Sequence, residues 1–205
     1  IRADISLEKM AELRPVFDKQ GGTITAGNST PRTDGAATVL LASEKWAKSK
    51  EIPIQAYLIL GRTSAVDYVE GEGLLMAPTV AVSELLDQAG LALQEFDYYE
   101  IHEAFAAQVL ATLKAWESEA YCRDRLGRNA PLGTIDQGKM NVKGSSIAFG
   151  HPFAATGARI LSVLAKLLHS GCGQRGLISV CTAGGMGVAA ILEGVEAQGT
   201  GGSEA

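Results

Sequence analysis

The sequence of 205 residues lacks the features of several protein classes. It has three cysteines and no Cys-x-x-Cys pair, which argues against a disulfide framework and favours reduced thiols in a cytosol-like compartment. A net charge of -5, without any Lys/Arg block, gives no electrostatic reason to expect binding to nucleic acid or to an anionic membrane. No apolar run has the length of a transmembrane segment.

Motifs for nucleotides and metals are missing as well. The glycines at 21–22 and 184–187 stand outside a GxGxxG pattern and have no GKS/T element. The pair His102 and Glu103 does not continue into HExxH, because residue 106 is alanine. The sequence therefore predicts neither a nucleotide-binding fingerprint nor a metal site.

What is present is a composition that is 46% apolar and 20% charged, which is enough to bury a core. Alternating strand and helix patterns predict an α/β protein. We expect a helix of about fifteen residues within 33–53, buried at its start, and then a strand over 54–65 that is covered on both faces. Further helices should end near Gly90 and start near Glu103 and Pro152, and the last two strands should pair as an antiparallel hairpin.

His151 lies in "FGHPFAATGARI", where a loop of small residues turns into a helix. Pro152 is typical of a first helical turn, so we expect His151 at the helix cap, where the helix dipole disfavours an imidazolium. A neutral histidine among small residues could serve a ligand as a base or hydrogen-bond donor. A purely structural helix cap is the alternative.

Two further stretches place polar residues at strand ends. Cys181 ends the apolar strand "GLISVCTA" before a glycine-rich turn, which predicts an exposed thiol beside N–H groups that could hold an oxyanion. His102 and Glu103 follow a short strand, Tyr98–Ile101, the usual location of site residues in layered α/β folds. A buried structural cysteine and a polar pair satisfied by the backbone are the alternatives, and Cys122 and Cys172 are assigned no role.

Taken together, four blocks resemble the carboxy-terminal half of the thiolase family (3-ketoacyl-CoA thiolase or acetyl-CoA acyltransferase): "TAGNSTPRTDGAATVLL", "HEAFAAQ", "NVKGSSIAFGHPFAATGARI" and "CTAGGMGVAAILE". Within the family, His102 in place of Asn and Ala183 in place of Gly resemble the thiolase subunit of fatty-acid β-oxidation multienzyme complexes. The resemblance implies a thiolase-like layered fold with a mixed five-stranded sheet between helices. It divides the chain into the end of a loop region (1–32), the last helix of an N-terminal half (33–53), a C-terminal domain (54–195) and a disordered tail (196–205).

The resemblance also implies roles for individual residues. His151 would activate a nucleophilic cysteine and contribute to an oxyanion hole, and Cys181 would exchange a proton with the substrate α-carbon or the thiol of CoA. His102 would orient a water in that hole, with Glu103 supporting it, and the backbone N–H of Ala183 would belong to a second hole.

The expected path of the CoA pantetheine is lined by four positions, although Pro31 stands where a glycine is common: Ala26, Thr30, Ala104 and Phe105. CoA is then a substrate, and no permanently bound cofactor is implied.

The implied activity is CoA-dependent cleavage of 3-ketoacyl-CoA to acetyl-CoA and a shortened acyl-CoA. The family's nucleophilic cysteine matches none of the three cysteines, and the sequence opens at Ile1. We therefore expect a fragment or one part of a split enzyme, inactive alone, that needs an N-terminal thiolase half. Expected partners are a second copy of the protein and a β-oxidation hydratase/dehydrogenase subunit, and the expected location is the cytoplasm, or the mitochondrial matrix in a eukaryote.

Two other functions remain open from the residues alone. One is a non-catalytic module that binds acyl-CoA or lipid. The other is a Cys/His hydrolase built on Cys181 and His151, for which the sequence offers no evident third orienting residue.

Overall fold

The computed structural model describes residues 3–171 and 173–195, so Cys172 and the predicted tail at 196–205 lie outside the described residues. The helices are α1 (Leu7–Ala11), α2 (Glu44–Ser49), α3 (Ala77–Ala89), α4 (Ala106–Glu117), α5 (Glu119–Leu126), α6 (Ser146–Phe149) and α7 (Ala154–His169), with a short 3-10 helix at Gln137–Lys139. The strands are β1 (Ala56–Ala65), β2 (Tyr98–Ile101), β3 (Arg175–Thr182) and β4 (Met186–Gly194).

The strands form one mixed sheet in the order β1-β4-β3-β2. β3 and β4 pair as the predicted antiparallel hairpin, β1 runs antiparallel to β4, and β2 runs parallel to β3. The α/β class and the layered arrangement are therefore confirmed. The sheet has 4 strands in the described part of the chain rather than the five expected, because only four segments there are extended and paired.

Helices cover both faces of the sheet. On one face, α3 is buried through Val82 and Leu85, which pack in one core with Trp116 of α4. On the other face, Ile160, Leu164 and Leu168 repeat every fourth residue along α7 and pack against β3 and β4. Each of these side chains contributes about 1.5–3 kcal/mol by its burial, so the two cores fix the sheet that carries the site.

The segment 33–53 differs most from its prediction. Only α2, Glu44–Ser49, is helical, and Ser43 caps it by accepting a hydrogen bond from the N–H of Trp46 at 3.3 Å. Leu40 and Leu41 are each 66% exposed and stand before the helix. A short apolar helix needs a surface to pack on, and the exposure of Leu40 and Leu41 shows that these side chains have little packing here.

Two other expectations were also wrong, namely the coverage of the first strand and the continuity of the helix after Glu103. β1 is an edge strand that pairs with β4 alone among the described residues, so Leu58 and Ile59 remain 47% and 49% exposed instead of covered. The long helix expected from Glu103 is two helices, because Ser118 ends α4 and caps α5, its side chain accepting from the N–H of Tyr121 at 3.2 Å. Sequence periodicity continues through such a break, since Ser118 interrupts the backbone without changing the apolar pattern.

Candidate active site

The sheet brings the ends of two strands together. β2 and β3 are parallel neighbours, with Ile101 opposite Ser179, so the residues that follow them meet at one edge. The N–H of His102 donates to the carbonyl of Ser179 at 2.9 Å. His102 and Cys181 consequently line the same narrow crevice, which has no room for a water molecule in this structure.

His151 reaches this edge from the loop before α7. Its ring lies against that of His102, with centroids 4.4 Å apart. Its backbone N–H donates to the carbonyl of Pro31 at 2.9 Å, which anchors the loop to the "NSTPRTDG" segment. Gly150 has φ +97, and a Cβ there would lie 2.4 Å from the side chain of Thr33, so only glycine allows this approach. We call His102, His151 and Cys181 the His–Cys cluster.

His151 is not at the helix cap. α7 begins at Ala154 and its N-cap is Phe153, with φ 33, because Pro152 and Phe153 turn the chain before the helix starts. The Nδ1 atom of His151 lies 2.7 Å from the hydroxyl oxygen of Thr156, which orients the ring. Burial lowers the pKa of His151, and the guanidinium of Arg159 lowers it further. The neutral form expected from sequence is therefore favoured, but by burial and a nearby cation instead of a helix dipole.

His102 is buried, with 2% of its surface exposed. Its Nδ1 lies 2.8 Å from the hydroxyl oxygen of Ser146, and that oxygen also accepts a hydrogen bond from Arg159 Nη2 at 3.0 Å. Burial lowers the pKa of His102 to about 3, with His151 and Arg159 adding to the effect. A neutral imidazole has one donor and one acceptor nitrogen, so His102 can hold a ligand oxygen without carrying charge.

Cys181 is buried, which corrects the expectation of an exposed strand-end thiol. β3 continues to Thr182, and Cys181 lies on the face covered by α3 and α4, where Pro78 and Val109 line the same crevice. Burial raises the pKa of Cys181 to about 11. The thiol therefore keeps its proton at neutral pH and can act as a proton donor.

Glu103 joins two segments next to the cluster. Its carboxylate accepts from Asn141 Nδ2 at 2.8 Å and from the N–H of Ile147 at 3.0 Å. The Asn141 side chain also bonds the N–H and the carbonyl of Ile101, at 2.8 and 2.9 Å. Glu103 thus ties the 141–147 loop to the end of β2, which keeps Ser146 beside His102.

The remaining predicted residues surround the cluster. Ala183 lies exposed in the turn between β3 and β4. The N–H of Thr30 donates to the carbonyl of Ala104 at 3.1 Å, and Phe105 forms a backbone bridge with Ser29. Ala26 is exposed in the same loop as Thr30. The loop that carries Ala26 and Thr30 therefore docks beside Ala104 and Phe105.

Sequence reasoning missed five residues that support the cluster: Glu100, Asn141, Ser146, Thr156 and Arg159. Thr156 could have been found, since a hydroxyl in the first turn after His151 is within reach of its ring. The hydrogen bonds of Asn141, Ser146 and Arg159 span more than ten positions of sequence, where no local pattern links the partners. No group of residues suited to a metal is found, and no helix is long and apolar enough to span a membrane, among residues 3–171 and 173–195.

Comparisons with known proteins give one result. Residues 54–194 match the family model "Thiolase, C-terminal domain" and residues 1–45 match "Thiolase, N-terminal domain". The chain is 47% identical over 193 residues to 3-ketoacyl-CoA thiolases of Yersinia pestis and Yersinia pseudotuberculosis, covering 94% of this chain and 44% of each relative. The chain thus spans less than half the length of these relatives.

Solved structures agree with the sequence relatives. The Bacillus anthracis acetyl-CoA acetyltransferase superposes with a TM-score of 0.75 at 34% identity, and the dimeric peroxisomal thiolase of Saccharomyces cerevisiae with 0.75 at 36%. Human mitochondrial 3-ketoacyl-CoA thiolase superposes with 0.73 at 33% identity. Each superposition covers 95% of this chain and 44% of the solved one.

Proposed function

Because the chain belongs to the thiolase family, we propose that it supplies the acid–base half of a thiolase that cleaves 3-ketoacyl-CoA with CoA, in fatty-acid β-oxidation. The observation that carries the proposal is the His–Cys cluster. Two neutral imidazoles and a protonated thiol meet at one sheet edge, with the two histidine rings 4.4 Å apart.

The chemistry of thiolysis fits these protonation states. Cleavage of the bond between C2 and C3 of a 3-ketoacyl thioester leaves the enolate of acetyl-CoA, which needs donors at its oxygen and a proton at its carbon. The rings of His102 and His151 supply neutral donors, and the thiol of Cys181 supplies the proton. Loss of one such donor typically lowers a rate by about 10²–10³.

The acyl group requires a different cysteine in this proposal. Cys181 holds its proton too firmly for a nucleophile, since its pKa is about 11. Cys122 is fully buried, and its Sγ lies 3.4 Å from the carbonyl of Trp116. The thiolase resemblance matches none of the three cysteines, Cys172 included, to the nucleophile, so we assign it to an N-terminal thiolase half and expect the 205-residue chain alone to be inactive. The high pKa of Cys181 also argues against the Cys/His hydrolase.

The substrate and partner assignments belong to the same proposal. The loop bearing Ala26 and Thr30, beside Ala104 and Phe105, would hold the pantetheine of CoA, and the N–H of Ala183 would complete a second oxyanion hole. We expect assembly into a homo-oligomer and association with a hydratase/dehydrogenase subunit. The free thiols of Cys122 and Cys181 favour a cytoplasmic or mitochondrial-matrix location.

The test is a complete thiolase that contains these residues, with His151→Ala, Cys181→Ala and, as a matched control, His169→Ala at the exposed end of α7. Acyl-enzyme formation is followed by intact mass, and exchange of the α-protons of acetyl-CoA by NMR. We expect His151→Ala to lose acylation, Cys181→Ala to acylate but not exchange, and His169→Ala to behave as the wild type. Near-normal acylation by His151→Ala would reject the assignment, and CoA binding by the wild type without thiolysis would identify a binding module instead.

A further inference from the structure

A chain of hydrogen bonds runs from α7 to the ring of His102. Arg159 Nη2 donates to Ser146 Oγ at 3.0 Å, and the same oxygen lies 2.8 Å from His102 Nδ1. Ser146 and His102 are 0% and 2% exposed, so both contacts are shielded from solvent. Among the described residues, no other group bonds to this hydroxyl.

The direction of the second hydrogen bond follows from the first. A guanidinium only donates, so Arg159 occupies one lone pair of Ser146 Oγ and leaves the hydroxyl proton for another acceptor. An oxygen that accepts from a cation becomes a stronger donor and a weaker acceptor. His102 Nδ1 is the acceptor within reach, so the serine hydroxyl donates to it. The single proton of the neutral ring then resides on Nε2.

Two carboxylates act on Arg159 electrostatically. Glu100 is 0% exposed in β2, and neither of its carboxylate oxygens has a hydrogen-bond partner among the described residues. Arg159 Nε and Nη1 are likewise buried and unpartnered there. Glu100 and Glu103 attract the guanidinium through space, and among the described residues the hydrogen bond that Arg159 donates is the one to Ser146.

We propose that Arg159 and Ser146 are positioning residues that hold His102 as the tautomer with its proton on Nε2. The ring then always presents a donor at the nitrogen not bonded to Ser146, and it is not free to present a lone pair there. The inference rests on the proposed function, since a fixed donor at His102 is useful if a thioester oxygen, or a water bound to it, reaches Nε2 in the complete enzyme. It also predicts that neither residue touches substrate.

The tautomer can be measured directly on this chain with ¹⁵N-labelled histidine and long-range ¹H–¹⁵N NMR at pH 7. His169→Gln and His151→Gln variants assign the resonances. We expect the wild type to show an unprotonated Nδ1 and a protonated Nε2 at His102. A protonated Nδ1 in the wild type would overturn the proposal.

Variants separate positioning from folding. Ser146→Ala should convert His102 to a mixture of tautomers, whereas Ser145→Ala, which removes a neighbouring buried hydroxyl that bonds the carbonyl of Ile101 instead, should leave the tautomer unchanged. Arg159→Met should give the same mixture and Arg159→Lys should restore the Nε2 proton. An Nε2–H tautomer that persists in a folded Ser146→Ala or Arg159→Met chain would refute the role.

Activity supplies a second, independent readout. In the complete thiolase, Ser146→Ala should lower kcat in proportion to the fraction of His102 rings that lose the Nε2 proton, about 2-fold for an even mixture of tautomers, with little change in KM, because that fraction loses a transition-state donor while substrate contacts remain. If the tautomer behaves as expected and the complete protein has no thiolase activity, only the proposed function fails. If thiolysis occurs and the tautomer ignores Ser146 and Arg159, only the positioning role fails.

Discussion

The buried carboxyl of Glu100 lies near the cation Arg159, yet we predict that removing its charge stabilises the chain. Glu100 is fully buried, and burial raises its pKa to about 7 from 4.5 although Arg159 opposes the shift. Attraction to Arg159 therefore does not repay the loss of hydration. We predict that Glu100→Gln, which resembles the protonated form, makes the chain more stable than the wild type at alkaline pH.

The sign and size follow from proton linkage. Between pH 4.5 and about 7 the folded chain keeps a proton on Glu100 that the unfolded chain has released, so wild-type stability falls as pH rises through this range. A pKa difference of about 2.5 corresponds to about 3 kcal/mol at pH 8, and to less than about 1 kcal/mol at pH 5. The Glu100→Gln chain lacks this loss.

Urea unfolding followed by circular dichroism at pH 5 and pH 8 measures the difference. Glu70→Gln, on an exposed loop, is the matched control and should track the wild type at both values. We expect the advantage of Glu100→Gln to grow by about 2 kcal/mol from pH 5 to pH 8. If Glu100→Gln is no more stable than the wild type at pH 8, the pair with Arg159 outweighs burial and the reasoning is refuted.

Two further predictions concern the hairpin that carries Cys181. Gly187→Ala should lower the free energy of unfolding in urea by about 1–3 kcal/mol, because a Cβ there would lie 2.5 Å from the backbone nitrogen of Pro78. Gly61→Ala is the control and should lower it little, since a Cβ there would lie 4.0 Å from its nearest atom. Equal losses in the two variants would contradict the packing argument. Cys181 should react with iodoacetamide at pH 8 at least about 100-fold more slowly in the native chain than in urea, since a pKa of about 11 leaves little thiolate. Peptide mass mapping measures the extent of alkylation at each cysteine. Equal rates in the two states would show that the thiol is neither buried nor shifted in pKa.

The elements predicted correctly are those with local signals. The hairpin of β3 and β4 follows from two apolar runs separated by too few residues for a crossover. α3 ends where Gly90 adopts φ +66, as a glycine after a periodic apolar run predicts. The strand Tyr98–Ile101 followed by polar residues was found for the same reason.

The failures share a different cause. Each failed prediction depends on what packs over the segment, which local sequence patterns do not reveal. This holds for the part of the expected helix that falls on 33–43, for the coverage of β1 and for the exposure of Cys181. His151 shows the limit most clearly. Its neutral state was expected from a helix dipole, but α7 starts at Ala154, and burial with Arg159 lowers its pKa instead.

The sequence motifs identify the residues of the His–Cys cluster, but the surroundings of these residues in the fold set their protonation states. His102, Cys181 and His151 stand in recognisable blocks, yet each protonation state is set by burial and, for the two histidines, by Arg159 as well. Burial and the guanidinium of Arg159 lower the pKa of both histidines, so both imidazoles are neutral at neutral pH without any contribution from a helix dipole.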